Sequence, residues 1–299
     1  MSDVPIAAGR GSRLPLSVRF TQAPNGETVH REELIVMKRL LVVFAAALCF
    51  GSFAGNRIDT LRRAANAGHA SAQCKLGNCY AKGAGVKKNP VEAAKWYRKA
   101  AENGSEWGQF NLASCYAKGE GVEKNPAEAA KWYRKAAKQG NFWAQYHLGN
   151  CYAKGEGVKK DPAEAVKWSR KAAAQGYEWA QCSLGDCYAK GEGVEKNPAE
   201  AVKWYRKAAE KGQMHAQCKL GNCYAKGEGV EKDPVEAVQW YRKAAGKGQR
   251  WAQYQLGDCY AKGKGVEKDS AEAVKWYRKA AEQGVAPAKK ALTDLGETE

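Results

Sequence analysis

Six cysteines recur every 36 residues, at Cys79, Cys115, Cys151, Cys187, Cys223 and Cys259. Three more stand five positions ahead of a member of that row, at Cys74, Cys182 and Cys218. Cysteines so spaced could form disulfides, hold a metal or act as nucleophiles. Equivalent atoms of stacked helical units lie about 10 Å apart, which exceeds the Cα separation that a disulfide permits. Partners at i, i+5 on one helix point to different faces. A bridge from Cys182 to Cys151 of the preceding repeat stays open. Metal binding is not expected. No Cys-x-x-Cys is present, and His69, His147 and His215 fall one each in three separate repeats. No Ser-x-x-Lys, Gly-x-Ser-x-Gly or phosphate-binding glycine loop appears, so no catalytic residues and no cofactor are expected. The Cys79 row reads instead as small buried hydrophobes.

The remaining candidates for chemistry are residues that change from copy to copy. Ser71, Cys74, Lys75, Asn78 and Lys82 fall at i, i+3, i+4, i+7 and i+11, one face of a helix. Down the copies, the Ser71 column reads Ser71, Trp107, Trp143, Trp179, His215, Trp251. The Cys74 column supplies Phe110, Tyr146 and Tyr254, and the Lys75 column Asn111 and His147. The Asn78 column supplies Asn150 and Asn222, and Lys82 is followed by Lys118, Lys154 and so on to Lys262. Tryptophan gives large contact area and is over-represented among binding hot spots. Asparagine both donates and accepts, so it can read an extended peptide backbone. A lysine row favours acidic segments or a terminal carboxylate. The expected site is therefore a peptide-binding groove with tryptophans at one edge, polar groups on its floor and lysines at the other edge. The competing reading packs the tryptophans against the preceding repeat.

The elements that must hold this face are legible in any one copy. In "SEWGQFNLASCYAKGEGVEKNPAEAAKWYRKAAKQG" (105–140), Gly108, Leu112, Cys115 and Tyr116 form one apolar helical stripe. Gly119 ends that helix, Gly121 keeps the loop tight, and Val122 plugs the gap between helices. Asn125, Pro126 and Glu128 have the pattern of a capping box with proline at the first helical position. Gly140 closes the second helix. Six such units run over 69–104, 105–140, 141–176, 177–212, 213–248 and 249–284. Lone helices at 57–67 and 285–296 would cap them. Neither helix of a pair can bury its stripe alone, so the units must stack. The predicted fold is all-α, an αα-hairpin solenoid between half-repeat caps.

Residues 1–54 stand apart from the array. "MKRLLVVFAAALCFGSFAGN" has a basic start, an apolar run of 11 residues (40–50), and Ser52 and Ala54 at −3 and −1 before Gly55. That is a secretory signal pattern over 37–54, too short to span a bilayer. Met37 is the expected translation start, which makes 1–36 an extension outside the protein proper. The segment from Gly55 then divides into a cap (55–68), the repeats (69–284) and a second cap with its tail (285–299). Export places the protein in the periplasm or outside the cell. The net charge of +17 predicts attraction to acidic partners. It reads mostly as a solvated helical face, with no nucleic acid expected and a monomer as the expected state.

The recurring pattern A-Q-x-x-L-G-x-x-Y-A-x-G-x-G-V-x-x-[ND]-x-x-E-A-x-x-W-Y-x-K-A-A-x-x-G resembles the Sel-one-like repeat family, relatives of tetratricopeptide repeats, over 69–284 without a gap. The resemblance implies an αα-solenoid that serves as an adaptor for peptides or proteins. It also implies that Asn78, Asn150 and Asn222 sit where related proteins grip peptides. A cysteine-rich subgroup is disulfide-stapled, and some members were described as β-lactam-binding or weakly β-lactamase active. Here every cysteine of the array falls on a first helix, and "KWYRKAA" ends in alanine where that subgroup places its second cysteine. The expectation is a non-enzymatic scaffold. The alternatives are a β-lactam-binding protein or an effector delivered to a host.

Overall fold

The structure, a computed structural model, describes residues 57–297. The expected signal segment and the extension before it lie outside the described residues. Among the described residues every regular element is a helix. Helix α1 covers 57–66. Repeat 1 is α2 (Ala70–Lys82) and α3 (Pro90–Glu102); repeat 2 is α4 (Glu106–Lys118) and α5 (Pro126–Lys138). Repeat 3 is α6 (Phe142–Lys154) and α7 (Pro162–Ala174); repeat 4 is α8 (Glu178–Lys190) and α9 (Pro198–Glu210). Repeat 5 is α10 (Met214–Lys226) and α11 (Pro234–Gly246); repeat 6 is α12 (Arg250–Lys262) and α13 (Ser270–Glu282); α14 (Ala286–Asp294) follows. From α2 onward each helix packs on the one before and the one after, which makes a repeat solenoid.

The core is the same six times. Leu76, Leu112, Leu148, Leu184, Leu220 and Leu256 are wholly buried, and the alanine pairs of the second helices let backbones approach. First helices end on glycine in the left-handed region, such as Gly119 at φ 76°. The loop glycine two residues later is held by packing as well. A Cβ on Gly121 (φ 73°) would lie 2.0 Å from the Pro90 carbonyl oxygen of the preceding repeat. Val122 packs into the core as expected.

The capping box is only half made. The Asn125 side chain accepts from the Glu128 N–H at 3.1 Å. The Asn125 N–H, however, donates to the Tyr116 carbonyl at 2.9 Å, because the loop brings the end of α4 within reach. Glu128 is thereby released and bonds Lys131 instead, at 3.0 Å.

A buried glutamine joins each repeat to the one before. Gln73 Nε2 donates to the Ala65 carbonyl at 3.0 Å, and Gln109, Gln145, Gln181, Gln217 and Gln253 repeat the bond. Each adds a second donor to a carbonyl near a second-helix C-terminus that already accepts the N–H of the closing glycine. In repeats 1 to 3 the glutamine oxygen accepts from Asn103, Gln139 or Gln175. In repeats 4 and 5 those positions are Lys211 and Lys247, which reach the Gly176 and Gly212 carbonyls. The Gln181 and Gln217 oxygens are left buried and unpaired.

Candidate functional site

The basic residues of the second helices are engaged by the scaffold. Lys95, Lys131, Lys167, Lys203 and Lys275 each pair with a glutamate one turn earlier, at 2.6–3.0 Å. Arg98, Arg134, Arg170, Arg206 and Arg242 donate to the tyrosine hydroxyl of the next repeat. Lys99 lies over the Trp96 ring at 4.4 Å, and every later repeat copies that contact. Each such contact is worth about 0.5–1 kcal/mol at an exposed site. A shallow recess lined by Arg134, Tyr152 and Lys159 belongs to this framework.

The first helices present a different surface. Trp107, Trp179 and Trp251 are 44%, 40% and 44% exposed. Trp143 departs from the column, because its ring is wedged 5.5 Å from Phe142 and 4.6 Å from Tyr177. Packing therefore claims one of the four tryptophans and leaves three on the surface. Phe110, Tyr146 and Tyr254 are half-buried beside them, with Phe110 6.1 Å from Trp107 and Tyr254 6.4 Å from Trp251.

The floor is more committed than the sequence suggested. Asn78 Oδ1 accepts from the Tyr97 hydroxyl at 2.8 Å and lies 3.5 Å from Asn111 Nδ2. Asn222 Oδ1 accepts from Tyr241 at 2.8 Å. Ser114 bonds Tyr133, and Asp186 accepts from both Tyr205 and Lys219 at 2.7 Å. Burial works to lower the Lys219 pKa, but the bond to Asp186 outweighs it and the net shift is upward. Only Asn150 keeps both ends of its amide unengaged. The tyrosine that would reach it is Ser169, and the residue opposite on the next repeat is Ser183.

The lysine edge is also partly compensated. Lys118 and Lys154 lie 3.9 and 3.7 Å from Glu120 and Glu156 of their own loops. Lys262 pairs with Asp258. Lys82 has no such acid, since Ala84 stands in that place. The exposed pairs hold little energy, typically about 0–1 kcal/mol.

Across repeats 1 to 3 these side chains line a half-open cavity of about 570 Å³, to which repeat 1 contributes Ala81, Lys88, Pro90, Ala93 and Tyr97. Phe110, Asn111, Ser114 and Lys118 come from α4, Tyr133 from α5, and Trp143 and His147 from α6. His147 stacks on Tyr133 at 5.2 Å and 10°. Burial and then Lys118 lower its pKa. The sequence reading did not single out Tyr133, because only columns of the first helices were compared for binding. The break in that tyrosine column at Ser169 was the available signal.

All nine cysteines of the described chain are free, so the open Cys182–Cys151 pairing is not made. Burial pushes the thiols of Cys115, Cys151 and Cys223 up to about 11 and that of Cys182 up to about 12. Such thiols are poor nucleophiles at neutral pH. Among the described residues no cluster of His, Cys, Asp and Glu could hold a metal ion. None of the described helices is long and apolar enough to cross a membrane.

No curated protein matches this chain. Among solved structures it is similar to c5321, a protective antigen of uropathogenic Escherichia coli strains displaying an SLR fold. Identity is 39% and the TM-score 0.75, over 81% of this chain and 53% of the antigen. The chain thus spans about half the length of that relative. It is also similar to a Sel1 repeat protein from Oxalobacter formigenes, at 37% identity and a TM-score of 0.67, over 77% of this chain and 96% of the other. The Sel1 repeat itself is found six times, at residues 70–105, 108–141, 144–177, 180–213, 215–249 and 252–285. Proteins built from it generally serve as protein-interaction scaffolds. With six copies in a solenoid of helix pairs, the chain belongs to the Sel1 repeat family.

Proposed function

We propose that the protein is an exported, non-enzymatic adaptor that holds a peptide or protein segment against its first helices. One observation carries this reading. The tryptophans of the second helices are capped by lysines, whereas Trp107, Trp179 and Trp251 of the first helices remain on the surface. Exposed aromatic rings in a row are costly to solubility and suit a surface that is covered by a partner. Asn150 supplies an uncommitted amide for a bound backbone, whereas Asn78 and Asn222 are held by Tyr97 and Tyr241 of their own repeats and Asn111 reaches Asn78 of the preceding one. Lys82, Lys118 and Lys154 favour an acidic segment. Export rests on the signal pattern at 37–54, with cleavage after Ala54; N-terminal sequencing of the mature protein tests it, and a mature chain that begins at Met1 contradicts it. The similarity to an E. coli protective antigen fits a protein displayed outside the cytoplasm.

The test is a pull-down with purified 55–299 beside a variant carrying Trp107→Ala, Trp179→Ala and Trp251→Ala. Trp143 is left intact because it packs the interior. Circular dichroism establishes equal helicity first. The expected result is a partner retained by the parent and lost by the variant. Equal capture by both would move the function off this face.

A further inference from the structure

The cavity lined by repeats 1 to 3 has an aromatic wall where repeats 2 and 3 meet. Phe110 stands 5.9 Å from Tyr133, 5.8 Å from His147 and 6.4 Å from Trp143, all tilted between 42° and 45°. Rings at these separations touch one another, so they form one continuous aromatic wall against which a further ring can pack. The volume of about 570 Å³ lies within the range of ligand pockets and holds one large side chain with its flanking backbone. Lys118 and Lys88 stand at its rim, opposed only by Glu120. Lys118 and Glu120 are 3.9 Å apart and both well exposed. Such a pair is weak enough for another carboxylate to replace Glu120 beside the lysine.

Among the described residues no other junction places Phe, Tyr and His together at these three positions. One repeat further on, the places of Phe110, Tyr133 and His147 are taken by Tyr146, Ser169 and Ser183. In the next they are Cys182, Tyr205 and Lys219, and the latter two are drawn into bonds with Asp186. We infer that this cavity is the anchoring subsite of the peptide-binding face, taking one aromatic side chain that has a carboxylate on the adjacent residue. The inference rests on the reading of that face as a binding surface and adds the chemistry of what it selects. Among the described residues this subsite occurs once.

The experiment uses the full chain from residue 55 and four blocked peptides. The parent is Ac-Gly-Phe-Asp-Gly-amide, and in the others Phe becomes Ala, Asp becomes Asn, or Asp becomes Lys. Binding is read from the tryptophan indole signals in proton–nitrogen spectra, assigned with Trp143→Phe. The parent peptide is expected to bind saturably and shift Trp143. Loss of the ring, or reversal of the charge, should weaken binding at least about tenfold. Lys118→Glu, an exposed change with little effect on folding, should invert the preference between the Asp and Lys peptides, and Phe110→Ala should abolish binding. Glu195→Ala, on an exposed loop outside that face, is the control and should change nothing, while Trp251→Ala probes the rest of the face. Failure of the parent peptide to bind saturably, or equal affinity for all four, overturns the assignment. Binding that ignores Lys118→Glu and Phe110→Ala but falls with Trp251→Ala leaves the binding face standing and removes this subsite. Binding indifferent to Lys118→Glu, Phe110→Ala and Trp251→Ala alike removes both.

Discussion

The first helices of repeats 2 and 3 and those of repeats 4 to 6 share a backbone plan but not a chemistry. In the former, rings meet rings from Trp107 through Phe110 and Trp143 to Tyr177. In the latter, ring pairs persist at Trp179–His215 and Trp251–Tyr254, but the floor is ionic: Lys219 bonds Asp186, and Lys262 and the loop residue Lys264 flank Asp258. The invariant leucines, alanines and loop glycines fix position in both halves, so the difference must come from four or five side chains per repeat. An aromatic junction leaves a cavity open to a partner, while an ionic junction satisfies itself. The comparison teaches that repeat-to-repeat cohesion and ligand binding compete for the same residues.

Removing one partner of the ionic junction should break the symmetry of cost. Asp186→Ala strands Lys219, which is 37% exposed along its side chain, and deprives Tyr205 of its acceptor. A fully buried pair would cost more; partial exposure brings the expected loss to about 1–2 kcal/mol. Ser114→Ala, at the matching place of the aromatic half, should cost under about 1 kcal/mol. Urea midpoints of the two variants measure the contrast, and equal losses would erase it.

Ser169→Tyr sharpens the comparison at the border between the halves. It restores the tyrosine found at Tyr97, Tyr133, Tyr205, Tyr241 and Tyr277, and Gly149 keeps the small neighbour on which the Tyr97, Tyr205, Tyr241 and Tyr277 rings sit elsewhere. A hydroxyl bond to Asn150 should add about 0.5–1.5 kcal/mol. The same change should weaken partner capture, since Asn150 loses its uncommitted amide. A stabilised variant with undiminished capture would remove Asn150 from the site.

The smallest expected effect is one of pH. His147 has its pKa lowered by burial and then by Lys118, so below the usual value of about 6.5 the unfolded chain binds a proton that the folded chain resists. Its contribution is complete above that value and is lost as pH falls through the window below it. The parent should lose stability between neutral pH and about pH 5 more steeply than His147→Phe. No histidine exists at this place in the ionic half, where Ser183, Lys219 and Gln255 fill the column, so the difference isolates the aromatic junction.

Much of the scaffold was legible from spacing alone. The 36-residue period, the N-caps and the terminating glycines mark helix ends through local backbone rules, and each is realised at its own residue. The function of Gln73 and its copies was not legible, because a buried amide that reaches a carbonyl eight residues earlier leaves no periodic signal of its own. The site was half legible. Column variation picked out Trp107, Phe110 and Asn111, but not that Tyr97 and Tyr241 consume the amide oxygens of Asn78 and Asn222. Those bonds join the two helices of a repeat, across the loop, and a reading confined to one helix face does not see them. The packing of Trp143 was not legible for a similar reason: Phe142 and Tyr177, which its ring meets, belong to neighbouring columns.

The most direct test of the account is amide hydrogen exchange on the chain from residue 55, with and without the partner that the pull-down returns. Slowed exchange on binding should concentrate in α4, α6 and α8, around Phe110, His147 and Asn150, with α5, α7 and α9 unchanged. Protection concentrated instead on the second helices, along Lys131, Lys135 and their copies, would contradict the claim that the varying residues of the first helices do the binding.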